Sequence, residues 1–225
     1  MPMMEYHSPV LLKESIDGLH IKADGTYVDV TFGGGGHSRE ILKRLGEKGR
    51  LYAFDQDPDA QNNILDDERF TLIQQNFKYL RRFLRFYGVR KVDGILADLG
   101  VSSHQFDEAE RGFSTRFDAR LDMRMNQNDN LTAYKVINNY EERLLSNLLY
   151  EYGELRNSKL LARKICEKRS VKPVATSFEL KEALAGAIPK KREHKVLAQI
   201  FQAIRIEVNR EIEALKMFLE QVPDV

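Results

Sequence analysis

Four short apolar runs in the first part of the chain are separated by segments whose apolar residues follow a helical spacing. The runs are rich in β-branched, aromatic and aliphatic residues, as β-strands are. They occupy residues 26–32, 50–55, 70–73 and 92–99. Segments 38–45 and 78–87 carry apolar residues three and four positions apart, which predicts helices. This alternation predicts an α/β domain whose parallel sheet is covered by helices on both faces.

The pattern changes after the fourth predicted strand. Residues 101–130 are polar and loop-like. The remainder has a helical pattern over residues 132–152, 158–169, 177–187 and 194–221. We interpret residues 103–214 as an inserted all-helical domain, and residues 1–102 together with 215–225 as the sheet domain.

No further strand candidate follows the last predicted helix. The fourth strand would then form an apolar edge of the sheet, and exposed edges of this kind pair readily with other chains. We therefore expect either that the chain is a fragment truncated at its C-terminus or that a partner completes the sheet. A second copy of the chain, giving a homodimer, is one such partner.

The composition excludes several classes of protein. With 42% hydrophobic residues the chain can bury a core, and a net charge of only +1 means that any RNA site must be a local patch. The one cysteine, Cys166, excludes an intramolecular disulfide and a cysteine-rich zinc site, and the histidines show no metal-ligand spacing. We therefore expect no metal. Because no apolar run could span a membrane, we expect a cytoplasmic protein without a membrane partner.

A glycine-rich turn follows the first predicted strand. Asp29, Gly33 and Gly35 form the pattern Asp-x-x-x-Gly-x-Gly, and Asp55 ends the next predicted strand 20 residues after Gly35. Glycines at a strand-to-helix turn let a polar ligand approach the backbone amides. An acidic residue at the tip of the next strand can bind both hydroxyls of a ribose. The chain is therefore predicted to bind an adenosine-type cofactor.

The spacing of the glycines favours one cofactor over another. A dinucleotide fingerprint requires Gly-x-Gly-x-x-Gly, and Ser38 stands where the third glycine would be. The pattern instead resembles the first motif of class I methyltransferases, which use S-adenosylmethionine. An NAD-type dehydrogenase remains an alternative, as does a glycine-rich loop that holds no ligand.

Three more residues fall at or near the carboxyl ends of the predicted strands, where α/β sheets bind ligands. Phe77 could pack on an adenine or fill the core, and the sequence leaves both open. His37 begins a predicted helix, and we interpret it as a cap or surface residue in preference to a catalytic one. Asp98 ends the fourth predicted strand, where a substrate would meet the cofactor.

Several motifs resemble those of the MraW family of small-subunit ribosomal RNA methyltransferases. In chain order they are HSPVLL at 7–12, DGILADLGVSS at 93–103, ERGFS at 110–114, LDMRM at 121–125 and FQAIRIEVN at 201–209. The resemblance implies a Rossmann-like class I methyltransferase sheet with an inserted helical domain. It also implies S-adenosylmethionine-dependent methylation of the exocyclic N4 amine of a cytidine in the decoding region of 16S ribosomal RNA. By position, the implied cofactor contacts are Gly35, Gly36, His37, Asp55, Phe77, Asp98 and Gln105.

Candidate contacts with the RNA lie in the predicted helical domain. They are Arg111, Asp122, Arg124, Lys190, Lys191 and Arg192. The cluster at 190–192 could equally be a solvated loop. We interpret the basic face formed by Arg81, Arg82 and Arg85 as plain exposed helix surface.

Two questions of role stay open at this stage. Asp98 could accept a proton from the reacting amine or bind the cofactor, and we favour cofactor binding. The chain could also be an inactive fragment, or a non-catalytic RNA-binding or assembly protein related to the enzymes.

Overall fold

The computed structural model describes residues 9–225 of the chain. The first residues of the HSPVLL motif, His7 and Ser8, lie outside this range. The described chain divides into two compact units. The first unit extends to His104 and resumes at Ile212–Val225, and the second unit is Gln105–Glu211.

A four-stranded parallel sheet forms the centre of the first unit. Its strands are β1 (Thr26–Asp29), β2 (Arg50–Phe54), β3 (Phe70–Ile73) and β4 (Gly94–Leu96). Their order is β3-β2-β1-β4, and all neighbouring pairs are parallel. This is the order of the first four strands of a Rossmann-type sheet, so the predicted Rossmann-like sheet is confirmed. Each strand of the sheet lies within one of the four apolar segments that predict strands.

Helices follow and cover these strands, and further helices make up most of the second unit. Within the described residues they are α1 (Leu12–Gly18), α2 (Gly36–Arg44), α3 (Leu80–Phe86), α4 (Ser103–Asp107), α5 (Ala133–Asn139), α6 (Glu142–Glu151), α7 (Ser158–Val171), α8 (Ser177–Ala183), α9 (Glu193–Asn209) and α10 (Glu211–Gln221). Among them, none is long and apolar enough to cross a bilayer.

Successive side chains of β1 point to opposite faces of the sheet, and both sets are buried under helices. Tyr27 packs on one face with Ile41 of α2, and Val28 packs on the other face with Leu84 of α3 and Phe218 of α10. Both faces are therefore covered by helices, as the sequence predicts. The edge strand β4 is only three residues long. Its Ile95 packs in the same cluster as Phe218, which limits the exposed apolar edge.

Two long predicted helices are each divided in the structure, which corrects the sequence-based prediction. The segment 132–152 is interrupted at Tyr140, which has extended backbone angles, so α5 and α6 are separate helices. The Arg169 guanidinium donates to the carbonyls of Ile137 and Tyr140, which satisfies groups that a continuous helix would have bonded internally. The segment 194–221 is interrupted at Arg210, whose φ of 49° is left-handed.

The second unit consists mainly of helices around an aliphatic core. Leu145 of α6, Leu161 and Ile165 of α7, and Ile200 and Ile204 of α9 are fully buried. Helix α6 packs against both α7 and α9. The apolar positions three and four apart that predict these helices are thus also the residues that hold them together.

Candidate functional site

Asp29 ties the end of β1 to the beginning of α2. Its side chain is completely buried. One carboxylate oxygen accepts the Thr31 N–H at 3.0 Å, and the other accepts the Ser38 hydroxyl at 2.7 Å. Burial raises the pKa of Asp29, and these hydrogen bonds oppose that rise. Ser38, which breaks the dinucleotide fingerprint, therefore organises the turn in this chain.

The glycine turn depends on backbone angles and close contacts that other residues would not tolerate. Gly33 and Gly35 have φ values of 51° and 75°. Gly35 is the residue before the first turn of α2, and Gly36 begins that helix. A Cβ atom on Gly36 would lie 2.4 Å from Cγ of Pro9. The turn therefore requires glycine, as the sequence predicts. The amides of Gly33 and Gly35 are not bare, however, because they donate to the Asp55 carboxylate and to the Phe32 carbonyl.

Gly35→Ala is expected to lower the free energy of unfolding by about 1–3 kcal/mol, because the left-handed backbone penalises a Cβ atom. That atom would also lie 3.0 Å from the Phe32 ring. Urea denaturation measures the loss. Gly18→Ala is the matched control, since its φ is not left-handed and a Cβ there would meet nothing within 4 Å. Equal changes in the two variants would contradict the prediction.

Asp55 holds the glycine turn against the end of β2. One of its carboxylate oxygens accepts the Gly33 N–H at 2.8 Å, and the other accepts the Asp57 N–H at 2.9 Å. Each oxygen has a second lone pair that remains available to a ligand hydroxyl. Burial raises the pKa of Asp55 to about 6, against the opposing effect of both hydrogen bonds. The carboxylate is therefore mostly ionised at neutral pH.

Amide side chains at the same edge of the sheet support the turn, and the sequence-based prediction missed them. The Asn63 side chain donates to the Gly33 carbonyl at 3.0 Å. The Asn76 side chain donates to Gln56 at 2.7 Å and also accepts the Lys78 N–H at 2.9 Å. The available signal was weak: Gln56 and Asn76 are polar residues that closely follow the ends of β2 and β3.

Phe77 lies in a 3-10 turn, Phe77–Tyr79, just beyond β3. Its ring packs edge-on against Phe218, with ring centroids 5.4 Å apart, at the margin of the core cluster of α3 and α10. The ring is only partly buried. Of the two roles left open by the sequence, core packing is therefore present, and a contact with adenine stays a prediction.

His37 and Asp98 lie near each other at the same edge. The imidazole of His37 is 5% exposed, so it is not the surface residue that the sequence suggests. Its Nδ1 lies 4.0 Å from a carboxylate oxygen of Asp98, whose side chain is 55% exposed. Its buried Nε2 has no hydrogen-bond partner within the described residues. The Asp98 N–H donates to the Thr31 hydroxyl at 2.8 Å instead of extending the ladder of β4.

The predicted RNA-contact residues at the LDMRM motif build an internal loop of the second unit. The Arg124 guanidinium forms two hydrogen bonds with Asp122, at 2.8 and 2.7 Å, and donates to the carbonyls of Gln127 and Asp129. Arg111 donates to the carbonyl of Arg124 at 3.0 Å. Burial opposes ionisation of Asp122, but the bonds from Arg124 lower its pKa overall. Direct contacts of these residues with RNA stay a prediction.

The remaining predicted contacts also belong to the second unit. Gln105 lies in α4 and is 5% exposed. Lys190, Lys191 and Arg192 form an exposed 3-10 turn before α9. Within the described residues, no group of three or more His, Cys, Asp or Glu side chains could hold a metal ion.

Asn209 joins two motifs that are far apart in the sequence, and the sequence-based prediction gave it no role. Its side-chain oxygen accepts the Met125 N–H at 2.7 Å, and its side-chain nitrogen donates to the Met123 carbonyl at 2.8 Å. The side chain is 8% exposed. The LDMRM loop is therefore anchored to the end of α9, next to the break at Arg210.

Comparison with known proteins identifies close relatives of the chain. The sequence model described as the MraW methylase family matches residues 4–225. Relatives named ribosomal RNA small subunit methyltransferase H include one from Christiangramia forsetii, 64% identical over 100% of this chain and 74% of its own length. Another, from Flavobacterium johnsoniae, is 64% identical over 97% of this chain and 72% of its own length. A third, from Bacteroides thetaiotaomicron, is 58% identical over 96% of this chain and 71% of its own length.

Proposed function

Since the chain belongs to the MraW methylase family, we propose that it transfers a methyl group from S-adenosylmethionine to 16S ribosomal RNA of the small subunit. The names of relatives at 64% identity support ribosomal RNA as the substrate. The resemblance described above supports a finer assignment, the exocyclic N4 amine of a cytidine in the decoding region. We further propose that the protein acts in the cytoplasm and that residues 103–214 recognise the RNA.

One observation carries the proposal for the cofactor. The Asp55 carboxylate lies 2.8 Å from the Gly33 amide nitrogen, so an acceptor that could bind ribose hydroxyls lies directly beside the glycine turn. The buried Nε2 of His37, which lacks a hydrogen-bond partner within the described residues, fits a polar ligand at the same place. The residues present thus fit S-adenosylmethionine.

Each residue at this edge has a proposed role. Gly33, Gly35 and Gly36 would leave room for the amino-acid end of the cofactor, and Asp55 would bind its ribose. The remaining proposed contacts, by analogy with the family, are His37, Phe77, Asp98 and Gln105. When bound, S-adenosylmethionine supplies a methyl group attached to a cationic sulfonium.

The chain must position a weak nucleophile. The lone pair of the cytosine amine is conjugated with the ring, so orientation of the amine would supply much of the rate enhancement, up to about 7–11 kcal/mol. The target base must also leave its stack to enter the site. The exposed Asp98 carboxylate could accept a hydrogen bond from the amine, but its proximity to His37 and to the end of β1 favours cofactor binding.

Methyl transfer is tested with radiolabelled S-adenosylmethionine and small ribosomal subunits from a bacterium that lacks this modification. We expect label in 16S RNA of these subunits and none in subunits that already carry the modification.

The substitution Asp98→Asn distinguishes cofactor binding from proton acceptance by Asp98. A weaker cofactor affinity with a retained kcat supports cofactor binding, and a reduced kcat at unchanged affinity supports proton acceptance.

Two results would identify an alternative function. Cofactor binding without transfer would indicate a non-catalytic RNA-binding or assembly protein. A thermal shift with NAD but not with S-adenosylmethionine would indicate a dehydrogenase. A ligand at 100 times its dissociation constant stabilises its protein by about 2.7 kcal/mol, so such a shift is readily measured.

A further inference from the structure

A basic groove lies on the first unit, between the beginning of α3 and the end of α10. Its volume is about 700 Å³. One wall belongs to the segment that follows Phe77 and the other to the last turns of α10. The lining residues are Lys78, Tyr79, Arg81, Arg82, Arg85, Met217, Glu220 and Gln221.

Gln221 fixes the two walls of the basic groove to each other. Its side-chain oxygen accepts the Arg81 N–H at 3.0 Å, and its side-chain nitrogen donates to the Lys78 carbonyl at 2.8 Å. Arg81 also forms an ion pair with Asp224. These contacts hold the groove in shape before any ligand binds, which lowers the entropic cost of binding.

Four cations and one carboxylate, that of Glu220, line the basic groove, and three of the four cations form no ion pair within the described residues. Lys78 lies 5.2 Å from the centre of the Tyr79 ring, and Arg82 lies 5.9 Å from the centre of the Phe83 ring. Lys78, Arg82 and Arg85 form no ion pair within the described residues. Because the whole chain carries a net charge of only +1, this groove is a local concentration of positive charge.

The basic groove begins at the edge of the sheet that holds the candidate cofactor site. Lys78 directly follows Phe77, and its backbone N–H is bound by Asn76. Asn76 in turn contacts Gln56, the residue after Asp55. A polymer whose reacting base lies at this edge could therefore continue into the groove.

We propose that the basic groove binds the phosphodiester backbone of the RNA substrate, on one side of the nucleotide that is methylated. This proposal rests on the proposed function. One arginine guanidinium can bind two oxygens of the same phosphate. Arg82 and Arg85 are three residues apart and therefore lie on one face of α3. Tyr79, which is 37% exposed, adds a surface on which an unpaired base can stack.

The test is a charge reversal, Arg82→Glu together with Arg85→Glu, assayed by fluorescence anisotropy with a labelled transcript of the decoding region of 16S RNA. We expect at least a tenfold loss of affinity at low salt. We also expect the slope of log affinity against log salt concentration to decrease by about two, one for each lost phosphate contact. Cofactor affinity should be unchanged.

The matched control is Lys13→Glu with Lys48→Glu, which changes the net charge equally at two exposed lysines away from the groove. Equal losses in the two double variants, or an unchanged salt slope, would overturn the proposal. So would a loss of poly-glutamate binding without a loss of RNA binding, because that result would indicate that the groove binds an acidic protein partner.

If the variant with Glu at positions 82 and 85 does not fold, Arg82→Ala with Arg85→Ala replaces it. Failure of the proposed function is distinct, since the unaltered protein would then transfer no methyl group.

Discussion

Asp55→Ala is expected to lower the affinity for S-adenosylmethionine at least about 100-fold. The substitution removes the proposed acceptor for the ribose hydroxyls, and a hydrogen bond to a charged group contributes about 1.5–3 kcal/mol. It also removes the acceptor for the Gly33 and Asp57 amides, so the glycine turn loses its anchor to β2. Isothermal titration calorimetry measures the change.

Asp66→Ala provides the control for this substitution. Asp66 is exposed and lies in the loop before β3, so its loss should leave the cofactor affinity unchanged. If the Asp55 variant binds as tightly as the Asp66 variant, then Asp55 does not contact the cofactor and the proposed site is wrong.

Because the pKa of Asp55 is raised, both the stability of the protein and its affinity for the cofactor should depend on pH. The ordinary pKa of Asp55 is 3.8 and its folded value is about 6, so the folded state binds the proton more tightly than the unfolded state. Its contribution to stability is fully present below pH 3.8 and is lost as the pH rises through about 6, a change of about 3 kcal/mol. Cofactor affinity should change in the opposite sense, increasing as the carboxylate ionises. Asp55→Asn should abolish both dependences, relative to the unaltered protein.

Asn209→Ala is expected to lower the free energy of unfolding of the second unit by about 2–4 kcal/mol. The substitution leaves the buried Met125 N–H and the Met123 carbonyl without their partner, and it removes a third bond to the Arg205 carbonyl. Each unsatisfied buried group costs about 1–3 kcal/mol. Urea denaturation followed by circular dichroism measures the loss.

Asn130→Ala is the matched control for Asn209, because Asn130 belongs to the same unit and is exposed. A change below about 0.5 kcal/mol is expected for such a surface substitution. If the two variants unfolded at the same urea concentration, the LDMRM loop would not depend on its bonds to Asn209.

Much of the first unit could be predicted because its signals are local. A strand is marked by a short run of suitable residues, and the turn after β1 needs glycine wherever φ is positive, as at Gly33 and Gly35. The general rule that ligands bind at the carboxyl ends of parallel strands then placed Asp55 and Asp98 at one edge. The exact bounds were less predictable, since the N–H of Asp98 bonds to Thr31 instead of continuing the ladder of β4.

The roles of several polar residues could not be predicted, because their partners are distant in sequence. Arg111 and Arg124 have the charge expected of phosphate contacts, and the structure adds a role within the protein: Arg111 donates to the Arg124 carbonyl, and Arg124 donates to Asp122 and to the Gln127 carbonyl. The sequence pattern of α9 and α10 is continuous. The helix nevertheless ends at Asn209, which bonds to a loop 84 and 86 residues away, and the next residue, Arg210, has a left-handed backbone.

The sequence by itself therefore determined the parallel sheet and the glycine turn, because these depend on residue types at short, fixed spacings. It also indicated the methylase family, through the resemblance of motifs distributed along the chain. Only the tertiary structure decided which carboxylate anchors the turn, where the last long helix breaks, and that the exposed residues Arg82 and Arg85 line a groove. The groove requires Arg81 to meet Gln221, 140 residues away. Such contacts form when helices pack on a sheet, and no local pattern encodes them.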